Sequence, residues 1–196
     1  DSPMSRGLGD VYKRQWPSYM DPEARDRGIR VRTSSYTRHH VNITMCKAKA
    51  NGNYINSILA LREALDAGCE EALLLDNEGY VAEGSGENVF IVRDGTIYTP
   101  ELTSCLEGIT RDSIFRIAAD LGYQIEERRI TRDEVYVADE AFFTGTAAEV
   151  VPIRELDGRA IGSGSRGPLT EQLQSIYFDT VRGRESQYGA WLTPVS

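Results

Sequence analysis

A two-residue turn between two short apolar runs most strongly limits the folds open to this chain. Asn88–Arg93 and residues 96–98 are rich in β-branched and aromatic residues, and only Asp94 and Gly95 separate them. Asp-Gly in this position is typical of a tight hairpin, which joins antiparallel strands. Asp157 and Gly158 predict a second hairpin. Because parallel strands need long crossover connections, these turns argue against a regular doubly wound parallel sheet.

Helices and strands alternate irregularly along the rest of the chain. Apolar residues at helical spacing predict helices over residues 54–67, 108–121 and 168–181. Short apolar or alternating runs predict further strands over residues 28–35, 72–75, 80–82, 124–130, 140–144 and 149–154. One side of the first helix carries Ile55, Ile58, Leu59 and Leu65, the apolar side that an amphipathic helix usually packs against the core. The fold class is therefore predicted to be mixed α/β (α+β).

Composition limits the classes of function. A net charge of -8 argues against a general nucleic-acid or membrane surface, and no apolar run approaches the roughly 20 residues that span a bilayer. Cys46, Cys69 and Cys105 are too widely spaced for a disulfide framework or a zinc site, which fits a reducing cytoplasm. The adjacent His39 and His40 would point to opposite faces of a strand, so we predict no metal site.

A loop before the first helix carries a lysine among small residues. Lys49 is flanked by Ala48, Ala50 and Gly52, which leave room for a ligand to approach the backbone. An amine of this kind can bond covalently to a carbonyl cofactor. Lys47 is an equal candidate on chemistry alone. The alternative is an exposed loop lysine without a ligand.

Two later segments offer groups that such a cofactor needs. Glu83 or Glu87, in a glycine-containing turn, can keep a pyridine nitrogen protonated, or the turn can simply be exposed. Gly108, Ile109 and Thr110 begin a predicted helix, whose free N–H groups favour a phosphate. Thr110 can instead serve only as a helix cap.

A third segment, at Gly145 and Thr146, adds a hydroxyl and backbone amides, or is a plain strand connection. Residues 162–167 fit the pattern G-x-G-x-x-G and precede a helix, which raises the alternative of a non-catalytic nucleotide-binding domain. A dinucleotide fold also requires a following strand with an acidic residue about 20 positions on. The sequence after Gly167 contains no convincing strand of that kind.

In this order the motifs resemble those of the branched-chain amino-acid aminotransferases, which are class IV (fold type IV) pyridoxal-phosphate enzymes. The motifs are Lys-Ala-Asn-Gly-Asn-Tyr at 49–54, Ala-Glu-Gly-Ser-Gly-Glu-Asn at 82–88, Leu-Glu-Gly-Ile-Thr-Arg-Asp at 106–112 and Thr-Gly-Thr-Ala-Ala-Glu at 144–149. The resemblance extends from Trp16 nearly to Val195. It implies pyridoxal 5'-phosphate as cofactor and a large domain of mixed sheets, or a pseudo-barrel, with flanking helices.

The resemblance assigns roles at the cofactor. It selects Lys49 over Lys47 as the lysine bonded to the cofactor, because Ala-x-Gly-Asn-Tyr follows the family's lysine. Tyr54 matches the tyrosine at the pyridoxal 3-hydroxyl oxygen, and Glu83 matches the carboxylate at the pyridine nitrogen.

The remaining matches concern the phosphate and the substrate. Ile109, Thr110 and Thr146 match phosphate-binding positions. Thr146 and Ala147 match positions that lie at the substrate carboxylate in relatives. Trp16 and Tyr19 match aromatic positions on the substrate side.

The implied reaction moves the amino group of leucine, isoleucine or valine to 2-oxoglutarate, giving branched 2-oxo acids and glutamate. The freed Lys49 acts as general base and acid. Family members are homo-oligomers, dimers or larger assemblies such as hexamers. The nearest rivals are D-amino-acid aminotransferases and aminodeoxychorismate lyases. Those relatives lack Gly-Asn-Tyr after the lysine and usually have serines where this chain has Gly86, Glu87 and Asn88.

The start of the chain departs from the family. Residues 10–15 look like a translated transposon-type sequencing adapter, so we expect residues 1–15 to be a non-native tail; the alternative is a natural polar tail. Relatives have a small α/β domain before Trp16. Residues 16–27 are then an interdomain segment, and residues 28–196 are the cofactor-binding large domain. We expect the chain alone to be inactive, because that small domain carries part of the site.

Overall fold

The computed structural model describes residues 23–193 and places the predicted hairpins within one mixed sheet of nine strands across those residues. The strands are β1 (Ile29–Thr33), β2 (Glu71–Leu75), β3 (Val81–Gly84), β4 (Asn88–Arg93), β5 (Thr96–Thr99), β6 (Ile125–Glu127), β7 (Glu140–Gly145), β8 (Glu149–Leu156) and β9 (Arg159–Ala160). Their order is β3-β2-β1-β8-β7-β4-β5-β6, and β9 pairs with β8. Parallel and antiparallel pairs are both present, so the mixed fold class is confirmed.

A short connection between distant strands makes the sheet curl. Only residues 85–87 separate β3 from β4, although β2, β1, β8 and β7 lie between them in the sheet. The N–H of Gly84 donates to the carbonyl of Glu87 at 2.7 Å, which closes this turn. The two strands therefore meet only because the sheet bends back on itself, as the pseudo-barrel prediction requires.

Both faces of the central strands are buried, in two separate cores. On β4, Val89 and Ile91 face one core, and Phe90 and Val92 face the other. Such two-sided burial explains why this run is continuously apolar rather than alternating. The second core is covered by α3 (Ile109–Asp120) and α5 (Pro168–Val181).

The predicted turns form as expected. Asp94 and Gly95 have φ angles of 49° and 76°, and Asp157 and Gly158 have φ angles of 52° and 78°. A type I′ hairpin requires positive φ at both central residues, which Asp-Gly tolerates. Thr131 and Glu134 form a capping box at the start of α4 (Arg132–Tyr136).

Two details differ from the sequence prediction. The strand expected over residues 124–130 is limited to β6, because Ile130 leaves the ladder and its carbonyl accepts from the N–H of Val81. In α2 (Tyr54–Asp66) the apolar side is exposed, whereas Ser57, Ala60 and Ala64 are buried. The exposed apolar residues of this helix are Ile55, Ile58, Leu59 and Leu65, at 64%, 63%, 43% and 49%.

Trp16, Tyr19 and the proposed tail of residues 1–15 lie outside the described residues. The chain from 23 to 193 contains a further short helix, α1 (Ala24–Arg27). Within that part, no helix has both the length and the apolar character needed to cross a bilayer.

A buried carboxylate holds the start of α5 against the sheet. The side chain of Glu140, on β7, accepts from the N–H groups of Leu169 and Thr170 at 3.0 and 2.7 Å. A Cβ on Gly167 would lie 2.1 Å from Glu140 Cδ, so this close approach requires glycine. The first free N–H groups of α5 are thus already satisfied by the protein itself.

We expect Glu140→Ala to lower the free energy of unfolding by about 2 kcal/mol, because two buried N–H groups lose their acceptor. Chemical denaturation measures the change. Glu126→Ala, at an exposed position on β6, is the matched control and should leave stability within about 0.5 kcal/mol of the parent. Equal losses in both variants would contradict the capping role.

Candidate active site

The separate sequence motifs converge on one cavity. The curl of the sheet brings the start of α2, the turn between β3 and β4, the start of α3 and the end of β7 together. All nine residues predicted to bind the cofactor and described by the structure line this cavity: Lys49, Tyr54, Glu83, Glu87, Gly108, Ile109, Thr110, Gly145 and Thr146. Ala147 does not line it and is exposed.

The two candidate lysines have different surroundings. The amine of Lys49 donates to the hydroxyl of Tyr54 at 2.9 Å, and both side chains line the cavity. The amine of Lys47 instead donates to the carbonyls of Leu102 and Cys105 and lies 3.7 Å from a carboxylate oxygen of Glu107. Lys47 therefore anchors the loop before α3, and only Lys49 presents its amine to the cavity.

Glu83 is held by a cation that the sequence analysis did not identify. Nε of Arg38 lies 2.7 Å from Oε1 of Glu83, and both side chains are more than nine-tenths buried. The N–H of Leu106 donates to Oε2 of Glu83 at 3.0 Å. Burial raises the pKa of Glu83, while Arg38 and the Leu106 N–H act in the opposite direction. The protonation state of Glu83 therefore depends on its contacts with Arg38 and with the N–H of Leu106.

The second acidic residue of this turn belongs to a carboxyl pair. Glu71, fully buried on β2, accepts from the N–H groups of Ala72 and Ser85, and its side chain interacts with that of Glu87. Burial raises the pKa of Glu71, and these hydrogen bonds act in the opposite direction. Two carboxyl groups this close in a buried site favour keeping one proton between them, because two buried negative charges repel each other.

The wall of the cavity at the start of α3 can accept an anion. Helix α3 begins there after Gly108, and among residues 23–193 no side chain caps its first N–H groups. The hydroxyl of Thr144 also lines the cavity, and it is buried without a hydrogen-bond partner among the described residues. Free helix N–H groups, the helix dipole and a hydroxyl are groups with which a protein can bind an anion.

Sequence reasoning missed several cavity residues, of which Arg38 and Asn88 matter most. Asn88 donates from Nδ2 to the carbonyl of Leu106 at 2.9 Å, and a Cβ on Gly108 would lie 2.0 Å from Asn88 Oδ1. Asn88 therefore fixes the segment that leads into α3, and Gly108 is required beside it. Asn88 stood within a recognised motif, but Arg38 lies in an irregular loop without any local signal.

A family model described as "Amino-transferase class IV" matches residues 10–156. The chain belongs to this family. Among its relatives, the branched-chain-amino-acid aminotransferase of Pseudomonas aeruginosa is 64% identical over 180 residues, covering 92% of this chain and 59% of that protein. The enzyme of the same name from Escherichia coli K12 is 42% identical over 182 residues, which cover 92% of this chain and 59% of that protein. The class IV chain thus spans less than two thirds of the curated relatives it matches.

Solved structures agree with this membership. A branched-chain amino acid aminotransferase of T.th., with pyridoxamine 5'-phosphate, has a TM-score of 0.89 and 54% identity over 93% of this chain and 60% of that one. The Escherichia coli enzyme has a TM-score of 0.88 and 43% identity, with 92% and 60% covered. The described fold is therefore that of the corresponding part of fold type IV branched-chain aminotransferases.

Proposed function

We propose that the protein is a pyridoxal-phosphate-dependent transaminase that moves the amino group of leucine, isoleucine or valine to 2-oxoglutarate. The observation that carries the proposal is the single cavity in which the Lys49 amine meets Tyr54 while Glu83, paired with Arg38, lines the same space. Relatives that share this part of the chain at 64% and 42% identity carry the branched-chain name, which supports the substrate class.

The residues present fit the proposed cofactor. A phosphate matches the uncapped start of α3 and the partnerless hydroxyl of Thr144. A pyridine nitrogen matches Glu83, an acceptor in a buried site. An aldehyde carbon matches the amine of Lys49, which is the nucleophile that such a group requires. The cavity thus offers a suitable group for each part of pyridoxal phosphate.

Each of these residues then has a defined task. When bound, pyridoxal phosphate acts as an electron sink for the bond broken at the substrate's Cα. With the cofactor in place, Lys49 Nζ would take the proton from Cα as general base and donate it to the cofactor's C4′ carbon as general acid. The Tyr54 hydroxyl, which accepts from Nζ, keeps the amine directed into the cavity. Glu83 holds a proton on the cofactor nitrogen, and its Arg38 and Leu106 contacts keep the carboxylate in place.

The proposal is tested by borohydride reduction of the complete gene product after addition of pyridoxal phosphate. Peptide mass spectrometry should find a phosphopyridoxyl adduct on Lys49. A coupled assay should then detect glutamate formed from L-leucine, L-isoleucine and L-valine with 2-oxoglutarate. An unmodified Lys49, or a preference for D-alanine or aminodeoxychorismate in the same assay, would refute the proposed activity.

The nucleotide-binding alternative at residues 162–167 is not favoured. The helix after this segment, α5, already donates its first N–H groups to Glu140, so no phosphate is needed there. Ser163 and Ser165 hydrogen-bond to each other at 2.8 Å. This contact and the Glu140 cap explain the segment as a helix-capping loop.

We further propose a homo-oligomeric cytoplasmic protein whose residues 28–196 are the cofactor-binding large domain, after an interdomain segment at 16–27 and a non-native tail at 1–15. Exposed apolar residues on α2 and before it, such as Ile58 and Met45 at 63% and 78%, support burial against another polypeptide. The three cysteines are free, which supports a reducing compartment. Light scattering of the complete gene product measures the assembly.

A further inference from the structure

A histidine stands directly behind the ion pair of Arg38 and Glu83. Nη1 of Arg38 lies 3.1 Å from Nδ1 of His39. A guanidinium group only donates hydrogen bonds, so Nδ1 must accept. The ring proton then resides on Nε2, and the imidazole is neutral. The pKa of His39 is lowered, first by burial and then by the Arg38 charge, which favours the same state.

The contact with Arg38 accounts for the orientation of the ring. Nε2 of His39 is buried and has no hydrogen-bond partner among residues 23–193. The hydrogen bond that orients the imidazole within residues 23–193 therefore runs through Nδ1 to Arg38. The carbonyl of His39 additionally accepts from the thiol of Cys46 at 3.8 Å, which ties the backbone to the cavity wall.

Arg38 is consequently held at two points of one rigid plane. Its Nε lies against Oε1 of Glu83, and its Nη1 donates to His39. Its backbone N–H donates to the carbonyl of Leu75 at 2.8 Å. Because the guanidinium is planar, two attachments determine its orientation. If His39 loses its acceptor, a buried N–H of Arg38 is left without a partner and the group must move to find one.

We propose that His39 is a positioning residue: its Nδ1 fixes Arg38, and Arg38 in turn fixes the Glu83 carboxylate that faces the cofactor nitrogen. The inference rests on the proposed function and adds a residue outside the cavity lining to it. His39 touches neither substrate nor cofactor in this role. It acts through the direction in which the Glu83 charge is presented.

The test compares three variants of the complete gene product. His39→Asn places an amide oxygen near the position of Nδ1, His39→Gln places its amide near Nε2, and His39→Ala removes both. Absorbance titration of each apo-protein with pyridoxal phosphate gives the dissociation constant and the spectrum of the bound cofactor. We expect His39→Ala and His39→Gln to bind the cofactor about tenfold more weakly and with a shifted absorption maximum. His39→Asn should stay within about twofold of the parent protein.

Two outcomes would overturn the role: unchanged binding in His39→Ala, or equal losses in His39→Ala and His39→Asn, which would indicate packing by the ring. If His39→Ala does not fold, the comparison of His39→Asn with His39→Gln decides.

Nitrogen NMR of histidine-labelled apo-protein tests the contact without cofactor. A neutral ring protonated at Nε2 is expected, and an imidazolium or a proton on Nδ1 contradicts it. If the parent protein forms no adduct on Lys49, the proposed function fails with the positioning role, while NMR still decides the contact.

Discussion

Replacing Lys49 with alanine is expected to lower kcat for leucine transamination by about 10⁴-fold or more, because the variant loses both the covalent attachment and the proton carrier. Within the described part of the chain the cavity offers no substitute amine, since the Lys47 amine is bound to the carbonyls of Leu102 and Cys105. Borohydride treatment should leave Lys49→Ala without a phosphopyridoxyl adduct. Steady-state kinetics and mass spectrometry of the complete gene product provide both measurements.

Lys47→Ala is the matched control for this prediction. It removes a lysine two positions away whose amine anchors the loop before α3. We expect the adduct on Lys49 to persist and kcat to fall by no more than about tenfold, as the loop loosens. An adduct that disappears in Lys47→Ala but remains in Lys49→Ala would reverse the assignment.

Local chemistry explains why much of this fold was predictable. Asp94 with Gly95 can adopt positive φ angles that most residues avoid, so the turn chemistry identifies a hairpin without knowledge of the rest of the chain. The side chain of Thr131 accepts from the backbone N–H of Glu134, and the side chain of Glu134 accepts from that of Thr131, within a single helical turn. Family motifs extended this reach, because the fixed order of segments implies that Lys49 shares a cavity with Glu83.

Long-range packing explains what the sequence did not reveal. Periodicity identified the apolar side of α2, but the helix packs on the sheet through Ala60 and Ala64, and the apolar side remains exposed. Arg38 lies in an irregular loop, and only the tertiary fold brings it to Glu83. A pairing between residues so distant in sequence leaves no local periodicity or turn signal. The same holds for the contact between Glu71 and Glu87.

Arg38→Met should lower the free energy of unfolding by about 3 kcal/mol at pH 8, because it leaves the buried Glu83 carboxylate without its cation. Both side chains are at most 9% exposed, so solvent cannot replace the lost partner. Arg116→Met, which breaks an ion pair with Asp112 on the exposed side of α3, is the control. That variant should cost no more than about 0.5 kcal/mol. Urea denaturation at fixed pH measures both changes.

The pH dependence distinguishes loss of charge from loss of packing. Arg38 acts to lower the pKa of Glu83, and burial raises it above the usual glutamate range. A carboxyl whose folded pKa is raised contributes stability fully below its unfolded pKa and loses that contribution as the pH rises through the folded value. Without Arg38 the folded pKa of Glu83 rises further. The free energy of unfolding of Arg38→Met should therefore be closest to that of the parent near pH 5, and the difference should grow towards pH 8.

The double variant Arg38→Met/Glu83→Gln has no buried carboxylate at this position and should regain most of the lost stability at pH 8. A deficit that is independent of pH, or that persists in the double variant, would attribute the effect to packing instead.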